Sequence, residues 1–390
     1  MRWVSAAIAP ATNSPSPEFR YSDNSRRGFD DWATAAVLCA LPNVKFWRSA
    51  LATARTVHIV SLGPGNYAGR RIVGILAIVA MILVPISYTP ASAQPSAAAV
   101  IDHITPKTDQ WEEVYVRSPA MGRVVQLDVL IPKDQAPHPT YYLLDGDGGS
   151  TEQSTWTAKS DVVKFFADKP VNVVMPVGGV GTFYTDWLQD DPKLGHNMWE
   201  TFLTRELPPL LDKVLHGNGI NAIGGISMGA HAAAALTVRN PSLYRAVASY
   251  SGCLISSRYD YGTVRSAVTV KGGNPDNMWG PAGNPEWDAH DPSLHLDQLR
   301  GKAIYLSSGT GLPGPSDFTY DPDFSYPVDT FNSIVLETVV HDCTVAFDEK
   351  LQANNVAATV RYSDVGTHWW PYWQAALHDS WGTLKAGLGL

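Results

Sequence analysis

A serine lies between two glycines in residues 225–229, where the pattern Gly-x-Ser-x-Gly has Ser227 at its centre. The apolar segment 220–223 precedes this pattern and an Ala-rich segment, 230–235, follows it. Between a strand and a helix, such a pattern forms a strained turn that lifts the serine hydroxyl above the sheet, and small residues two before and two after avoid neighbouring backbone. The pattern therefore predicts that Ser227 is a catalytic nucleophile, and the alternative is an ordinary Gly-rich turn.

A serine nucleophile needs a histidine base, and in sheet-based serine hydrolases with this turn the chain order is Ser, acid, His. Five histidines follow Ser227, namely His290, His295, His341, His368 and His378. We predict His368 as the base, because it lies in a loop directly after the last predicted strand. The first two precede the last two strands, and His341 and His378 lie in helical patterns. The alternative role for His368 is packing in an aromatic cluster.

The acid that orients the histidine is not decided by composition. The carboxylates between the seventh predicted strand and His368 are Asp317, Asp321, Asp323, Asp329, Glu337, Asp342 and Asp364. Fold geometry alone favours an acid just after that strand, which points to Asp317.

Strand-like and helix-like segments alternate along residues 111–390 and position these side chains. Strands are predicted at 111–116, 124–131, 140–145, 171–177, 220–224, 246–251, 303–307 and 357–362. Helices are predicted at 199–215, 228–238 and 329–353. This alternation predicts an α/β-hydrolase fold, with a mostly parallel central sheet of about eight strands and helices on both faces. The first two strands form an antiparallel edge, and residues 252–300 form an insertion or lid.

Several separated stretches of the chain resemble the mycolyltransferases of the antigen 85 group. They are Tyr142–Gly146, Val174–Gly179, Phe183–Trp187, Trp199–Thr204, Glu206–Pro208, Met278–Pro281 and Thr367–Trp370. Together they are more specific than the serine turn, and the resemblance covers roughly residues 111–390.

The resemblance implies a role for several residues of the site. In this family the acid is a Glu in a Leu-Glu pair on the helix before the last strand, which favours Glu337 over Asp317. The family's oxyanion hole uses the backbone N–H after the nucleophile and one in the loop after the third strand, here Met228 and Asp147. Two fixed N–H groups aimed at a developing oxyanion stabilise it by several kcal/mol.

Two further residues are assigned to substrate by resemblance. Asp145 matches the family's Asp that contacts the sugar of the substrate, and the alternative is a strand-end residue that stabilises the loop. Trp370, in the last matching stretch, is also predicted to contact substrate.

The chain departs from the mycobacterial members at three places. Those members carry an Arg two residues after the Asp-Gly pair, whereas this chain has Gly148. Trp369 replaces the small polar residue after the histidine. The family's usual disulfide early in the sheet is missing, because no cysteine lies between residues 94 and 252. Sugar binding must then use other groups, and the chain is a divergent member of the group.

The predicted function is that of a serine acyltransferase with a Ser-His-Glu triad. It moves a mycolyl group from trehalose monomycolate to a second trehalose monomycolate or to cell-wall arabinan, through an acyl-Ser227 intermediate. No cofactor or metal is expected, because the chain has no H-E-x-x-H, paired C-x-x-C or dinucleotide motif. The alternatives are a secreted carboxylesterase and a weakly catalytic protein that binds glycolipid or matrix.

A secretory signal is predicted at residues 70–93. Arg70 and Arg71 precede an uncharged apolar run, 72–86, and an Ala-x-Ala cleavage site follows at 91–93. The run is shorter than the roughly 20 residues of a membrane span, so we expect no stable transmembrane segment in the mature protein. The protein is then secreted to the cell envelope or beyond.

The signal divides the chain into four parts. Residues 1–69 have no clear period and are excluded as a leader that is either untranslated or disordered. Residues 94–108, rich in Ala, Pro and Ser at their start, are predicted to be a linker, and 109–390 to be the catalytic domain.

Cysteine count and charge agree with an extracellular enzyme. Beyond the signal, the chain keeps Cys253 and Cys343, an even number for an oxidising compartment. We expect them to form a disulfide, and the alternative is two buried thiols. The net charge of −8 without a basic cluster excludes nucleic acid as a partner. The expected partners are glycolipid substrate and wall polysaccharide.

Overall fold

The computed structural model of this protein describes residues 98–134, 136–318 and 328–390. The predicted leader, the signal at 70–93 and the start of the predicted linker lie outside the described residues. The described strands are β1 (Val100–Thr108), β2 (Trp111–Ser118), β3 (Arg123–Leu130), β4 (His138–Leu144), β5 (Asn172–Pro176), β6 (Gly217–Ile226), β7 (Tyr244–Tyr250), β8 (Ala303–Ser308) and β9 (Thr359–Tyr362).

These strands form one sheet in the order β1-β2-β3-β5-β4-β6-β7-β8-β9. The pairings β1–β2, β2–β3 and β3–β5 are antiparallel. All pairings from β5 through β4 to β9 are parallel. The carboxyl ends of β4, β6, β7, β8 and β9 therefore meet at one edge of the sheet, where a ligand site of such a fold is expected.

The first strand corrects the predicted linker. Residues 100–108 pair antiparallel with β2 instead of forming a flexible connection. Most side chains of β1 are exposed because the strand lies at the edge of the sheet. An exposed edge strand carries no apolar alternation, so its composition is that of a linker.

Helices cover both faces of the sheet, as the alternating pattern predicts. They are α1 (Thr155–Lys159), α2 (Val162–Phe166), α3 (Trp199–Thr201), α4 (Leu207–Val214), α5 (Met228–Arg239), α6 (Gly262–Val270), α7 (Pro275–Trp279), α8 (Pro285–Ala289), α9 (Val328–Ala353) and α10 (Trp370–Leu388). A π-helical turn, Phe202–Glu206, joins α3 to α4.

Alternate residues of the central strands enter two hydrophobic cores. On β6, Ile223 packs into the core that contains residues of α4, α5 and α9. Its neighbour Ala222 packs into the opposite core, with residues of α1, α2 and α10. This period of two places the central strands between the helix layers.

The region predicted as an insertion or lid, 252–300, contains α6, α7, α8 and short 3₁₀ turns. Trp279 and Trp287 of this region are buried in the same core as α5. Among the described helices, none is long and apolar enough to cross a membrane.

Candidate active site

Ser227 lies in the turn between β6 and α5, at the edge where the parallel strands end. Its backbone has φ of 52° and ψ of −117°, a conformation that L residues rarely adopt. A Cβ at Gly225 would lie 2.6 Å from the backbone of Gly229, and a Cβ at Gly229 would lie 2.3 Å from the carbonyl oxygen of Asp145. Both flanking glycines are therefore required by neighbouring backbone, and the turn presents the Ser227 hydroxyl above the sheet.

His368 follows β9 and reaches Ser227 from the neighbouring side of the edge. Its Nε2 lies 2.8 Å from Ser227 Oγ. Its backbone N–H donates to the carbonyl of Ser333 at 3.1 Å, and Trp373 contacts the ring edge-on with centroids 4.9 Å apart. These contacts fix the imidazole, whose side chain is 8% exposed.

Glu337 lies on α9, with a side chain only 1% exposed. Its Oε2 is 2.7 Å from His368 Nδ1. Its Oε1 accepts hydrogen bonds from Ser251 Oγ at 2.8 Å and from Gly309 N–H at 2.7 Å. The buried carboxylate is thus fully hydrogen-bonded, which is the condition for keeping a charge in such a place.

Asp317, which fold geometry alone favoured as the acid, binds the loop that carries His368. Its carboxylate accepts hydrogen bonds from Thr367 Oγ1, from Gly314 N–H at 2.7 Å and from Tyr372 O–H at 2.5 Å. Thr367 directly precedes His368, and Tyr372 lies in the first turn of α10. The structure therefore brings Glu337, not Asp317, to the imidazole, and Asp317 anchors the surrounding loop.

Two backbone N–H groups, those of Met228 and Asp147, are predicted to bind the oxyanion. Met228 is the first residue of α5, so its N–H has no acceptor within the helix and sits at the positive end of the helix dipole. Asp147 lies in the loop after β4. That loop is held against the serine turn by the approach of Asp145 to Gly229 and against the β5 end by the approach of Gly149 to Gly178.

Asp145 directly follows β4 and is buried, with its side chain bound to Ser154 and Thr155. Its side chain is 0% exposed, and its carboxylate accepts hydrogen bonds from Ser154 Oγ, Thr155 Oγ1 and Thr155 N–H at 2.6–3.0 Å. Burial raises the pKa of Asp145 to about 6, although these hydrogen bonds oppose the shift. These hydrogen bonds support the alternative role, in which Asp145 stabilises the loop, and its contact with sugar stays a prediction.

Trp370 begins α10 and packs on two other tryptophans. Its ring meets Trp156 and Trp373 edge-on, with centroids 5.4 and 5.2 Å apart. The side chain is half-buried against the second core. Its contact with substrate stays a prediction.

Cys253 and Cys343 form a disulfide bond. Cys253 lies in the loop after β7, two residues beyond Ser251, and Cys343 lies on α9, six residues beyond Glu337. The bond joins the two segments whose side chains meet at the Glu337 carboxylate.

Sequence reasoning missed two residues near the site. Ser251 has a positive φ of 53° and directs its hydroxyl to Glu337. Its position at the carboxyl end of β7, next to the strand that precedes Ser227, could have predicted that it lies near the site. Lys271, whose ammonium lies 3.5 Å from the Asp147 carboxylate, has no such signal because it follows α6 in the insertion.

The arrangement has the parts needed for acyl transfer through serine. A hydroxyl, an imidazole and a carboxylate are joined by hydrogen bonds in that order, and a helix begins directly after the serine. In the described part of the chain, no group of three or more His, Cys, Asp or Glu side chains could hold a metal ion.

Comparison with known proteins places the chain among related sequences. The model of the family described as "Putative esterase" matches residues 118–384. The diacylglycerol acyltransferase/mycolyltransferase Ag85B of Mycobacterium avium is 32% identical over 291 residues, which cover 70% of this chain and 84% of that protein. The corresponding Ag85A of Mycobacterium tuberculosis is 31% identical over 289 residues, covering 71% and 81% of the two chains.

Solved structures give the same picture of the fold. The crystal structure of MPT51 from Mycobacterium tuberculosis superposes with a TM-score of 0.61 at 25% identity, covering 71% of this chain and 98% of that one. An S-formylglutathione hydrolase from Agrobacterium tumefaciens has a TM-score of 0.55 at 16% identity, covering 74% and 99%. At that identity the second likeness shows the α/β-hydrolase fold alone.

Proposed function

Because this chain belongs to the putative esterase family and to its antigen 85 group, we propose that it is a serine acyltransferase that transfers mycolyl groups between sugars. The donor is trehalose monomycolate, and the acceptor is a second trehalose monomycolate or cell-wall arabinan. The names of its relatives state diacylglycerol acyltransferase and mycolyltransferase activities. The observation that carries the proposal for this chain is the hydrogen-bonded series Ser227–His368–Glu337, with distances of 2.8 and 2.7 Å.

The first half of the reaction forms an acyl-enzyme. His368 Nε2 takes the proton of Ser227 Oγ as the oxygen attacks the ester carbonyl of the donor. The N–H groups of Met228 and Asp147 donate to the developing oxyanion, and Glu337 stabilises the imidazolium. The tetrahedral intermediate then breaks the bond to the sugar oxygen, which leaves as an alcohol with the proton from His368.

The second half transfers the acyl group to the acceptor. His368 takes the proton of an acceptor hydroxyl, whose oxygen attacks the acyl carbonyl on Ser227. Collapse of the second tetrahedral intermediate releases the new ester, and the proton returns to Ser227 Oγ. Water in place of the sugar hydroxyl gives hydrolysis by the same residues, so the triad alone serves both reactions.

The proposed place of action is the cell envelope or the medium outside it. The disulfide between Cys253 and Cys343 supports this, because disulfides form and persist in oxidising compartments. The signal proposed at residues 70–93 would direct the chain there.

The test is to incubate the purified protein with trehalose monomycolate and to follow the protein and its products by mass spectrometry. The wild type should carry a mycolyl adduct on Ser227 and should form dimycolate faster than free acid. Ser227→Ala should lose adduct and product, with a kcat at least about 10³-fold lower. Ser363→Ala, a change at an exposed serine after β9, is the matched control and should behave as the wild type.

Two results would change the proposal. Free mycolic acid as the sole product would make the enzyme a carboxylesterase with the same triad. Absence of an adduct in the wild type, with dimycolate still formed by Ser227→Ala, would exclude Ser227 as the nucleophile.

A further inference from the structure

An ion pair lies on the loop that forms one side of the site. The Nζ of Lys271 is 3.5 Å from Oδ2 of Asp147, the residue whose backbone N–H is assigned to the oxyanion. Lys271 comes from a distant part of the chain, at the end of α6 in the insertion. The insertion thus supplies a cation next to the loop after β4.

Two glycines make room for this lysine. A Cβ at Gly181, which has a φ of +66°, would lie 2.9 Å from both Cβ and Cγ of Lys271, so any other residue there would displace the lysine stem. A Cβ at Gly148 would lie 4.0 Å from Nζ. Because Gly148 has no side chain, the space beside the ammonium is open.

The ion pair leaves hydrogen-bonding capacity unused on both side chains. At 3.5 Å the pair is longer than an ordinary N–H···O hydrogen bond. The side chains of Lys271 and Asp147 are 26% and 40% exposed, so a ligand can reach both. The ammonium donates hydrogen bonds and the carboxylate accepts them, and a hydroxyl group can do both at once.

We propose that Lys271 and Asp147 form a hydroxyl-binding pair that holds the sugar of a glycolipid substrate beside the reacting carbonyl. This rests on the proposed acyl transfer and adds the residues that select a polyol over a simple alcohol. A sugar hydroxyl accepts a hydrogen bond from Lys271 Nζ and donates one to Asp147 Oδ2, so that it bridges the two side chains. The pair is a specificity-determining element and takes no part in bond making.

The Asp147 carboxylate and Lys271 can distinguish sugar esters from simple esters, whereas the backbone N–H of Asp147 cannot. The N–H of Asp147 acts on the carbonyl of any ester, whereas its carboxylate meets only a substrate that carries hydroxyls near that carbonyl. Lys271 also balances a negative charge that would otherwise lie unpaired near the developing oxyanion. Both effects favour esters of sugars.

The experiment compares kcat/KM for two substrates of the full chain, trehalose monomycolate and p-nitrophenyl butyrate, which has no hydroxyls. Lys271→Met keeps the length of the stem and removes the charge. It should lower the ratio of sugar ester to simple ester by about three- to tenfold, mainly through the KM for the sugar ester. Lys271→Arg should keep most of the ratio. Lys193→Met, a change at an exposed lysine whose stem lies near Gly272, is the charge-matched control and should leave the ratio as it is.

The outcomes separate this inference from the proposed function. An unchanged ratio in Lys271→Met, with the wild type still transferring mycolate, would overturn the hydroxyl-binding pair alone. An equal loss in Lys193→Met would also overturn it, because net charge would then be the cause. A wild type that forms no Ser227 adduct would instead remove the acyl transfer on which the pair rests.

Discussion

At the scale of single residues, two buried carboxylates compete for the role of catalytic acid. Asp317 follows β8 closely, and Glu337 lies a further 20 positions along the chain. The Glu337 carboxylate gives one oxygen to His368 and the other to Ser251 and Gly309. The Asp317 carboxylate is occupied by Thr367, Tyr372 and Gly314. Because the two carboxylates have different hydrogen-bond partners, their substitution should have different effects on activity.

The first prediction separates these two carboxylates by amide substitution. Glu337→Gln should lower kcat by about 10²–10⁴-fold, because it removes the charge that stabilises the imidazolium, and it should also lower the free energy of unfolding by about 1–3 kcal/mol, because the amide nitrogen cannot accept a hydrogen bond. Asp317→Asn should lower the free energy of unfolding by about 1–3 kcal/mol and kcat by less than about tenfold, because a loop hydrogen bond is lost. Steady-state kinetics and thermal denaturation of both variants measure this. The reverse order of kcat losses would make Asp317 the acid.

At the scale of elements, α9 must be held in register with the sheet for Glu337 to meet His368. The disulfide joins this helix to the loop after β7, and Ser251 in that loop binds Glu337 directly. The bond closes a loop of 90 residues in sequence separation. A crosslink of that span restricts the unfolded chain strongly.

The second prediction concerns this crosslink. The double variant Cys253→Ser, Cys343→Ser should lose about 2–4 kcal/mol of unfolding free energy, measured by urea denaturation. Its kcat should fall together with its stability, since the position of Glu337 depends on α9. Wild type treated with a thiol reductant should move in the same direction, whereas the reduced double variant should not change. An equal midpoint for all four samples would contradict a stabilising role for the bond.

At the scale of the whole molecule, a partly buried ion pair joins α3, α5 and the insertion, which pack on the same face of the sheet. Glu200 on α3 accepts hydrogen bonds from Arg239 Nε, at 2.9 and 3.0 Å, and from Asn240 at 3.1 Å. His290 of the insertion lies 3.7 Å from the same carboxylate and 3.0 Å from Thr185 Oγ1. Arg239 ends α5, the helix that begins at the serine turn.

The third prediction follows from the charge of Glu200. Desolvation would raise its pKa, but His290, Arg239 and Asn240 outweigh burial, and the pKa is lowered. A lowered pKa means that the charged form stabilises the fold above about pH 4.5 and that this contribution is lost as pH falls through the folded-state pKa. Glu200→Gln should lower the free energy of unfolding by about 1–3 kcal/mol at pH 7, because charge-assisted hydrogen bonds from Arg239 and Asn240 are weakened.

The measurement is urea denaturation of wild type and Glu200→Gln between pH 3 and pH 7. The difference between them should shrink at the acid end, where the wild-type carboxylate is protonated as well. Glu286→Gln, a change at the other carboxylate near His290, is the control and should differ little from wild type, because Glu286 is more exposed. A constant difference across the range would show that Glu200 acts through packing and not through charge.

The amino-acid sequence by itself determined the class of fold and the candidate nucleophile. The strands are short apolar runs and the serine turn is a local pattern, so both depend on residues that are neighbours in the chain. The strand predicted at 303–307 and the helix predicted at 329–353 differ from β8 and α9 by one residue at a single end. The edge strand β1 was missed because exposure removes the apolar alternation that marks a strand.

Only the tertiary structure decided which distant side chains meet. Glu337, Ser251 and His368 are separated by up to 117 positions, and nothing local distinguishes Glu337 from the other carboxylates of its segment; the resemblance to a family selected it. Burial of Asp145 and the approach of Lys271 to Asp147 likewise depend on how loops from different strands pack together. Sequence patterns report local backbone preference, whereas the hydrogen-bond partners of a site are set by the sheet order that brings the loops to one edge.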